Sequence, residues 1–238
     1  MRFLDLTLKT PQENLALDEV LLEWCDRGEF KEEIMRFWES PAYFVVTGRG
    51  NSVDLEVYVE RCEKDSIPIL RQCSGGGTVL QGPGCLNYCL ILNCEERGIH
   101  TVTGINRLVM ESHRQAFFSL LPNSQVKGIT DLTDDETKFS GNAQRKKKNW
   151  ALFHGTFLLN FNLEFIERYL KMPSKFPDYR ADRSHQHFLK NIEIESEKIK
   201  AVLKKCWSAE KSLKNWPQDN LKELVKTKYS QDSWNFEK

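Results

Sequence analysis

The sequence predicts a mixed α/β protein, and three observations carry the prediction: short runs rich in branched and aromatic residues, segments of helical period opened by capping residues, and glycine-rich turns between them. With 238 residues, 40% of them hydrophobic and 29% charged, the chain can bury a substantial core in one large domain, or in one domain and a small appendage. Residues 67–93 organise the rest. Their centre reads Arg71-Gln72-Cys73-Ser74-Gly75-Gly76-Gly77-Thr78-Val79, followed by Gln81-Gly82-Pro83-Gly84.

Residues 2–8 alternate as an edge strand does. Thr10, Pro11 and Glu13 then supply an N-cap, a proline in the first turn and a capping-box carboxylate, so a helix follows. Leu17, Val20, Leu21 and Trp24 give it one apolar face, and Asp26-Arg27-Gly28 ends it. Residues 35–38 and 43–47 read as the two strands of a hairpin divided by Ser40-Pro41. Gly48-Arg49-Gly50-Asn51 breaks the pattern, residues 53–64 read as a helix, and residues 86–93 form a core strand. A helix capped near Thr103 carries Leu108, Ser112, Ala116 and Leu120 on one line and stops at Leu121-Pro122-Asn123. Residues 128–132 open a new β region, Asp134-Asp135-Glu136 is a turn, residues 150–161 are strand-like, and Asn162 caps a helix to Met172.

From Lys175 the composition shifts toward Lys and Glu, with Arg180, Arg183, His185 and His187 clustered, and residues 193–238 hold two or three helices broken at Trp216-Pro217. The chain is therefore divided into a main domain, residues 1–174, and a helical extension, residues 175–238, packed on it.

Bulk properties narrow the function. Seven cysteines form no Cys-x-x-Cys pair, which fits reduced, buried thiols in the cytoplasm rather than a disulfide framework. Five scattered histidines give no zinc pattern, and no residue is assigned to a protein metal site. A formal net charge of zero makes no case for nucleic acid, and neither a membrane span nor a signal peptide is expected.

Three successive glycines between strand-like runs make either a tight hairpin turn or a loop that a ligand approaches closely. Backbone amides without neighbouring Cβ atoms can converge on an anion, and Arg71 and Ser74 add donors at the entrance. Three further patches match that chemistry: Gly48-Arg49-Gly50-Asn51, Lys138-Phe139-Ser140-Gly141 with Arg145, and His154-Gly155-Thr156. Each sets glycine or a small hydroxyl residue beside a donor at the end of a predicted strand, as a site for a phosphorylated or adenylylated ligand requires.

Arg71-x-x-Ser74-Gly75-Gly76-Gly77-x-Val79, Asp131-Leu132, Lys138-x-Ser140-Gly141-x-Ala143-x-Arg145 and His154-Gly155-Thr156-x-Leu158-Leu159, in that order, resemble the lipoate protein ligases of the biotin and lipoate ligase superfamily. Asn14-x-Ala16-x-Asp18 and Ile67-Pro68 fit as well, so the resemblance covers roughly residues 10–172. It implies a mixed, largely antiparallel sheet flanked by helices, like the catalytic domains of class II aminoacyl-tRNA synthetases and biotin ligases. It also implies a reaction: ATP, with Mg²⁺, and lipoate or octanoate give an acyl-adenylate, and a lysine of a lipoyl carrier domain then displaces AMP. The carriers are of the 2-oxoacid dehydrogenase E2 or glycine cleavage H protein type. Lys138 matches the catalytic lysine. Arg71, Ser74, Gly75, Gly76, Gly77 and Thr78 match the adenylate-binding loop, Asp131 the acidic residue near the nucleotide or its metal, and Ser140, Gly141, Ala143, Arg145, His154, Gly155 and Thr156 the remaining site motifs.

Departures from the pattern keep other readings open. Gln72 and Cys73 stand where ligases often carry arginines, and Gln81-Gly82 where they often carry His-Asp. Gln81-Gly82-Pro83-Gly84 also resembles the His-Gly-Pro-Gly of octanoyl transferases, which need no ATP and pass the acyl group through a cysteine thioester. Neither of their cysteine positions is filled, which leaves Cys73 or Cys85 as the candidate nucleophile. A non-catalytic lipoate- or carrier-binding protein is the alternative of another class. Biotin ligases fit less well, since they use Gly-Arg-Gly-Arg where this chain has Ser-Gly-Gly-Gly. Residues after Pro173 are few for the accessory domain of long ligases, so the tail helices or a separate accessory subunit take its place. Lys146-Lys147-Lys148 is either a solvated turn or a surface that steers an acidic carrier.

Overall fold

The protein is described here by a computed structural model covering residues 1–173 and 175–237; the expected domain boundary at Ser174 and the terminal Lys238 lie outside the described residues. Its strands, in chain order, are β1 (Arg2–Asp5), β2 (Ile34–Glu39), β3 (Phe44–Thr47), β4 (Ile69–Arg71), β5 (Val79–Gln81), β6 (Cys85–Asn93), β7 (Ser124–Lys127), β8 (Asp131–Asp134), β9 (Thr137–Lys146), β10 (Trp150–Leu158) and β11 (Lys211–Ser212). The larger sheet runs β11-β1-β2-β6-β10-β9-β8-β7 and the smaller β4-β3-β5. The large sheet is antiparallel except where β1 pairs with β2 and β11, so the largely antiparallel expectation holds.

Helices cover both faces of the large sheet, which is why its central strands are apolar on both sides. Helix α1 (Pro11–Asp26) forms with the expected box: the Glu13 amide donates to Thr10 Oγ1 at 3.2 Å and the Thr10 amide to the Glu13 carboxylate at 2.9 Å. Its Leu17 and Leu21 pack on Ile34 and Trp38 of β2 and Ile91 of β6. Two short helices, α2 (Val53–Glu56) and α3 (Val59–Lys64), replace the single one expected over residues 53–64. On the opposite face α4 (Val102–Phe117), capped by Thr101, buries Ile105, Val109, Met110 and Phe117 rather than the Leu108 line. It packs there with Met35, Phe37, Tyr88 and Leu90, which alternate with the residues facing α1. The chain closes with α5 (Glu164–Tyr169), α6 (His185–Phe188), α7 (Ser196–Cys206), α8 (Gln218–Leu224), which begins after Pro217, and α9 (Asp232–Asn235).

Two strand readings are corrected. β1 is not an edge, because β11 from the tail pairs outside it. β2 and β3 do not form a hairpin: beyond Ser40-Pro41 the chain leaves the large sheet, and β3 becomes the centre of the small one. The glycine loop is no hairpin either, since β3 lies between β4 and β5. The loop therefore crosses the open end of the small sheet, facing β9 and β10.

Candidate active site

A cleft of about 530 Å³ opens between the glycine loop, β9, β10 and the segment leading into α6. It gathers Gly76, Gly77, Thr78, Asp131, Lys138, Ser140, Gly141, Ala143, His154, Gly155 and Thr156, drawn from four separated motifs. Sheet register does the gathering: Thr156 lies opposite Gly141 and Gly155 opposite Asn142 across β9 and β10.

Glycine is needed here for close approach. A Cβ on Gly48 would lie 2.1 Å from the Gly76 carbonyl oxygen, so the two glycine turns of the sequence pack backbone to backbone. Gly76 itself has φ +94°, a left-handed conformation open to glycine. On β9, a Cβ at Gly141 would meet Lys138 Cε and Nζ at 2.8 Å; its absence lets the lysine lie across the strand.

Lys138 Nζ sits 2.7 Å from Asp131 Oδ1, and the Tyr179 hydroxyl donates to Asp131 Oδ2 at 2.7 Å. Each carboxylate oxygen is thus engaged, and Asp131 orients the ammonium rather than hiding it, since Lys138 still lines the cleft. Among the described residues Ser140 Oγ is buried with no hydrogen-bond partner, and so is Oε1 of Gln81, a residue whose Nε2 donates to Thr156 Oγ1 at 2.8 Å. Ser140 and Gln81 both line the cleft, so each unsatisfied polar atom lies at its edge. Thr78 is held by Glu56, which also accepts from Asn51 Nδ2 at 2.8 Å.

Behind the loop lies a polar chain. Ser74 Oγ is 2.6 Å from His154 Nε2, and His154 Nδ1 is 3.9 Å from Asp18 Oδ2. Asp18 is buried against Arg36 at 2.6 Å, and Arg36 also bonds Asn14, so Asn14-x-Ala16-x-Asp18 is a core ion-pair motif. Burial lowers the His154 pKa against the pull of Asp18, favouring the neutral imidazole. Ser74 is itself buried and does not line the cleft, and neither does Gly75.

Besides Ser74 and Gly75, two expected cations, Arg71 and Arg145, are not brought to the cleft. Arg71 is fully buried, and its guanidinium donates to the carbonyls of Gly48, Arg49 and Asn51 and to those of Trp234 and Glu237 in the tail. Arg145 pairs with Glu19 of α1 at 2.6 Å. Both cations are spent on folding. Sequence reasoning also passed over Glu56, Asn87, Tyr179 and Arg180, which hold or line the site. Only the noted cluster around Arg180 gave any signal.

Neither candidate cysteine is poised for chemistry. Burial pushes the Cys73 thiol up to about 12 and raises Cys85 further, and Cys73 does not reach the cleft. Among the described residues no group of three or more His, Cys, Asp or Glu could hold a metal ion, and no helix is long and apolar enough to cross a membrane.

Residues 10–207 match the family model of the lipoyl protein ligase A/B catalytic domain. Lipoate–protein ligase 1 of Staphylococcus aureus is 26% identical over 95% of this chain and 70% of its own length. Octanoyltransferase LipM of Halalkalibacterium halodurans is 25% identical over 100% of this chain and 99% of its own. Among solved structures, lipoate–protein ligase A bound with ATP superposes with a TM-score of 0.83 at 22% identity, covering 99% of this chain and 98% of that one. The bipartite lipoate protein ligase described with its E2 lipoyl domain, from Thermoplasma acidophilum, gives 0.81 at 22% identity, covering 99% and 96%. At that identity the structures establish the shared fold.

Proposed function

The chain belongs to the lipoyl protein ligase A/B catalytic-domain family, and from that premise we propose that it is an ATP-dependent ligase joining lipoate or octanoate to a lysine of a lipoyl carrier domain. In the first step a carboxylate oxygen attacks the α-phosphorus and pyrophosphate leaves. In the second the carrier amine attacks the acyl carbonyl and AMP leaves. Negative charge builds on oxygen each time, and the observation that supports the reading is one ammonium held at the cleft: Lys138, aligned by Asp131 and given room by Gly141. The loop's backbone from Gly76 to Thr78, with Ser140, supplies the remaining donors. The apolar acyl tail would run toward Leu15, Trp38 and Val46, which also line the cleft.

Any Mg²⁺ would arrive as counter-ion of the ATP phosphates, because the described residues hold no cluster of ligands for it. The Thermoplasma structure supports a lipoyl carrier as partner and, by its bipartite build, an accessory polypeptide.

A second reading, acyl transfer through a thioester without ATP, is favoured by the full-length match to the octanoyltransferase. The buried, high-pKa thiols of Cys73 and Cys85 stand against it. Incubating the protein with octanoate or lipoate, Mg²⁺ and labelled ATP separates the two: pyrophosphate and acyl-AMP appear if the ligase reading holds, and their absence sinks it.

A further inference from the structure

Arg180 presents a buried cation to the cleft with no anion paired to it among the described residues. The residue is 4% exposed and lines the cleft. Its Nε donates to the Arg183 carbonyl at 3.0 Å, and among the described residues its Nη2 has only the weak acceptor Met172 Sδ at 3.5 Å. Nη1 donates to no acceptor among the described residues. Phe188 stacks 4.8 Å from the guanidinium and Phe176 lies at 6.0 Å, so the faces are covered and the donor edge is left open. Its neighbour Arg183 differs: Nε, Nη1 and Nη2 donate to the carbonyls of Arg180, Glu136 and Tyr179.

The turn that presents Arg180 is strained. Ala181 and Asp182 both take positive φ, 50° and 55°, where glycine would be at ease. Consecutive left-handed residues without glycine persist where the surroundings over-determine them, as at ligand clamps. Burial, then the Arg183 charge, works against the Arg180 cation, so an incoming anion would relieve an existing cost.

From the open donor edge, the strained turn and the shared cleft with Lys138, we infer that Arg180 is a phosphate-binding residue of this site, taking the nucleotide's phosphate in place of the sequestered Arg71 and Arg145. The inference rests on the ATP-dependent reading. It assigns to residues beyond the glycine loop a binding role that the loop motif cannot supply.

The test is calorimetric binding of adenosine, AMP and ATP to the full chain and to Arg180→Met, with Arg180→Gln used if the first variant unfolds. Adenosine affinity should be unchanged, while a phosphorylated ligand weakens roughly 10- to 100-fold, the range set by a charge-assisted hydrogen bond. Equal losses for AMP and ATP assign the contact to the α-phosphate; a loss confined to ATP assigns it to the β- or γ-phosphate. Arg180→Lys should recover part of the affinity. Unchanged binding of all three ligands, or an equal loss that includes adenosine, overturns the inference alone. If the unaltered chain binds neither AMP nor ATP, the ligase reading falls with it.

Discussion

The glycine-loop wall and the extension wall of the cleft use arginine in opposite ways. Arg71, set in the motif that resembles a phosphate-binding loop, spends its guanidinium on backbone carbonyls of the turn at residues 48–51 and of the tail. Arg180, from a segment with no motif, keeps a donor edge on the cleft. A residue type at a motif position thus fixes what chemistry is available, and its neighbours decide whether that chemistry points at a ligand or at the fold.

Lys138 lies between the two walls and should show the largest effect. Lys138→Ala is expected to lower acyl-adenylate formation at least ~100-fold, the scale for losing one charge-stabilising donor, while the thermal unfolding midpoint stays within a few degrees. Full activity in the variant would remove its electrostatic role. Arg71 sharpens the contrast with Arg180. Arg71→Met should cost about 2–4 kcal/mol of stability, measured by urea denaturation, by orphaning several buried carbonyls. A variant of native stability with selectively weaker ATP binding would mean that Arg71 reaches the ligand after all.

A pH scan adds a smaller effect. Burial holds the imidazoles of His154 and His113 below their ordinary value, His113 at about 3. Below about pH 6.5 the unfolded chain therefore binds protons that the folded chain refuses, and stability falls as pH drops. His113 alone accounts for about 2 kcal/mol between pH 6.5 and pH 5, observable as a lower unfolding midpoint that His113→Gln flattens. A flat profile in the unaltered chain would show that these rings are protonated in the fold.

The basic turn should matter least. Lys147 is paired with Glu23 and Asp26, and Lys146 donates to the carbonyls of Lys147 and Lys148, so of the three lysines expected to steer a carrier only Lys147 is neutralised by ion pairs, and Lys148 is the one left exposed. Lys148→Glu should raise the Michaelis constant for an acidic carrier about twofold at low salt, fade at high salt and leave acyl-adenylate formation unchanged. No salt-sensitive change would return the run to a solvated turn.

What the sequence revealed follows from range. The Thr10 cap was legible because its bonds span three residues, and the glycine loop because glycine is costly wherever backbone need not approach something closely. The hairpin misreading at Ser40-Pro41 arose because two adjacent β-type runs say nothing about which sheet each joins; pairing with β6 and with β4 and β5 decides that. Four cleft motifs could be ordered by resemblance, but the carbonyls holding Arg71 come from residues as distant as Trp234 and Glu237, and no local pattern announces them. Arg180 was visible as part of a cluster, without spacing to assign it.

That tail contact has a consequence for synthesis. Because Arg71 and the loop it supports are finished by residues 234 and 237, and β1 by Lys211 and Ser212, a nascent chain that already contains every residue of the cleft still lacks two of the carbonyls that hold the cation beneath its glycine loop. Nucleotide affinity would then emerge late, once the tail clears the ribosome, so a chain cut after residue 230 would be defective although it has lost nothing that lines the cleft.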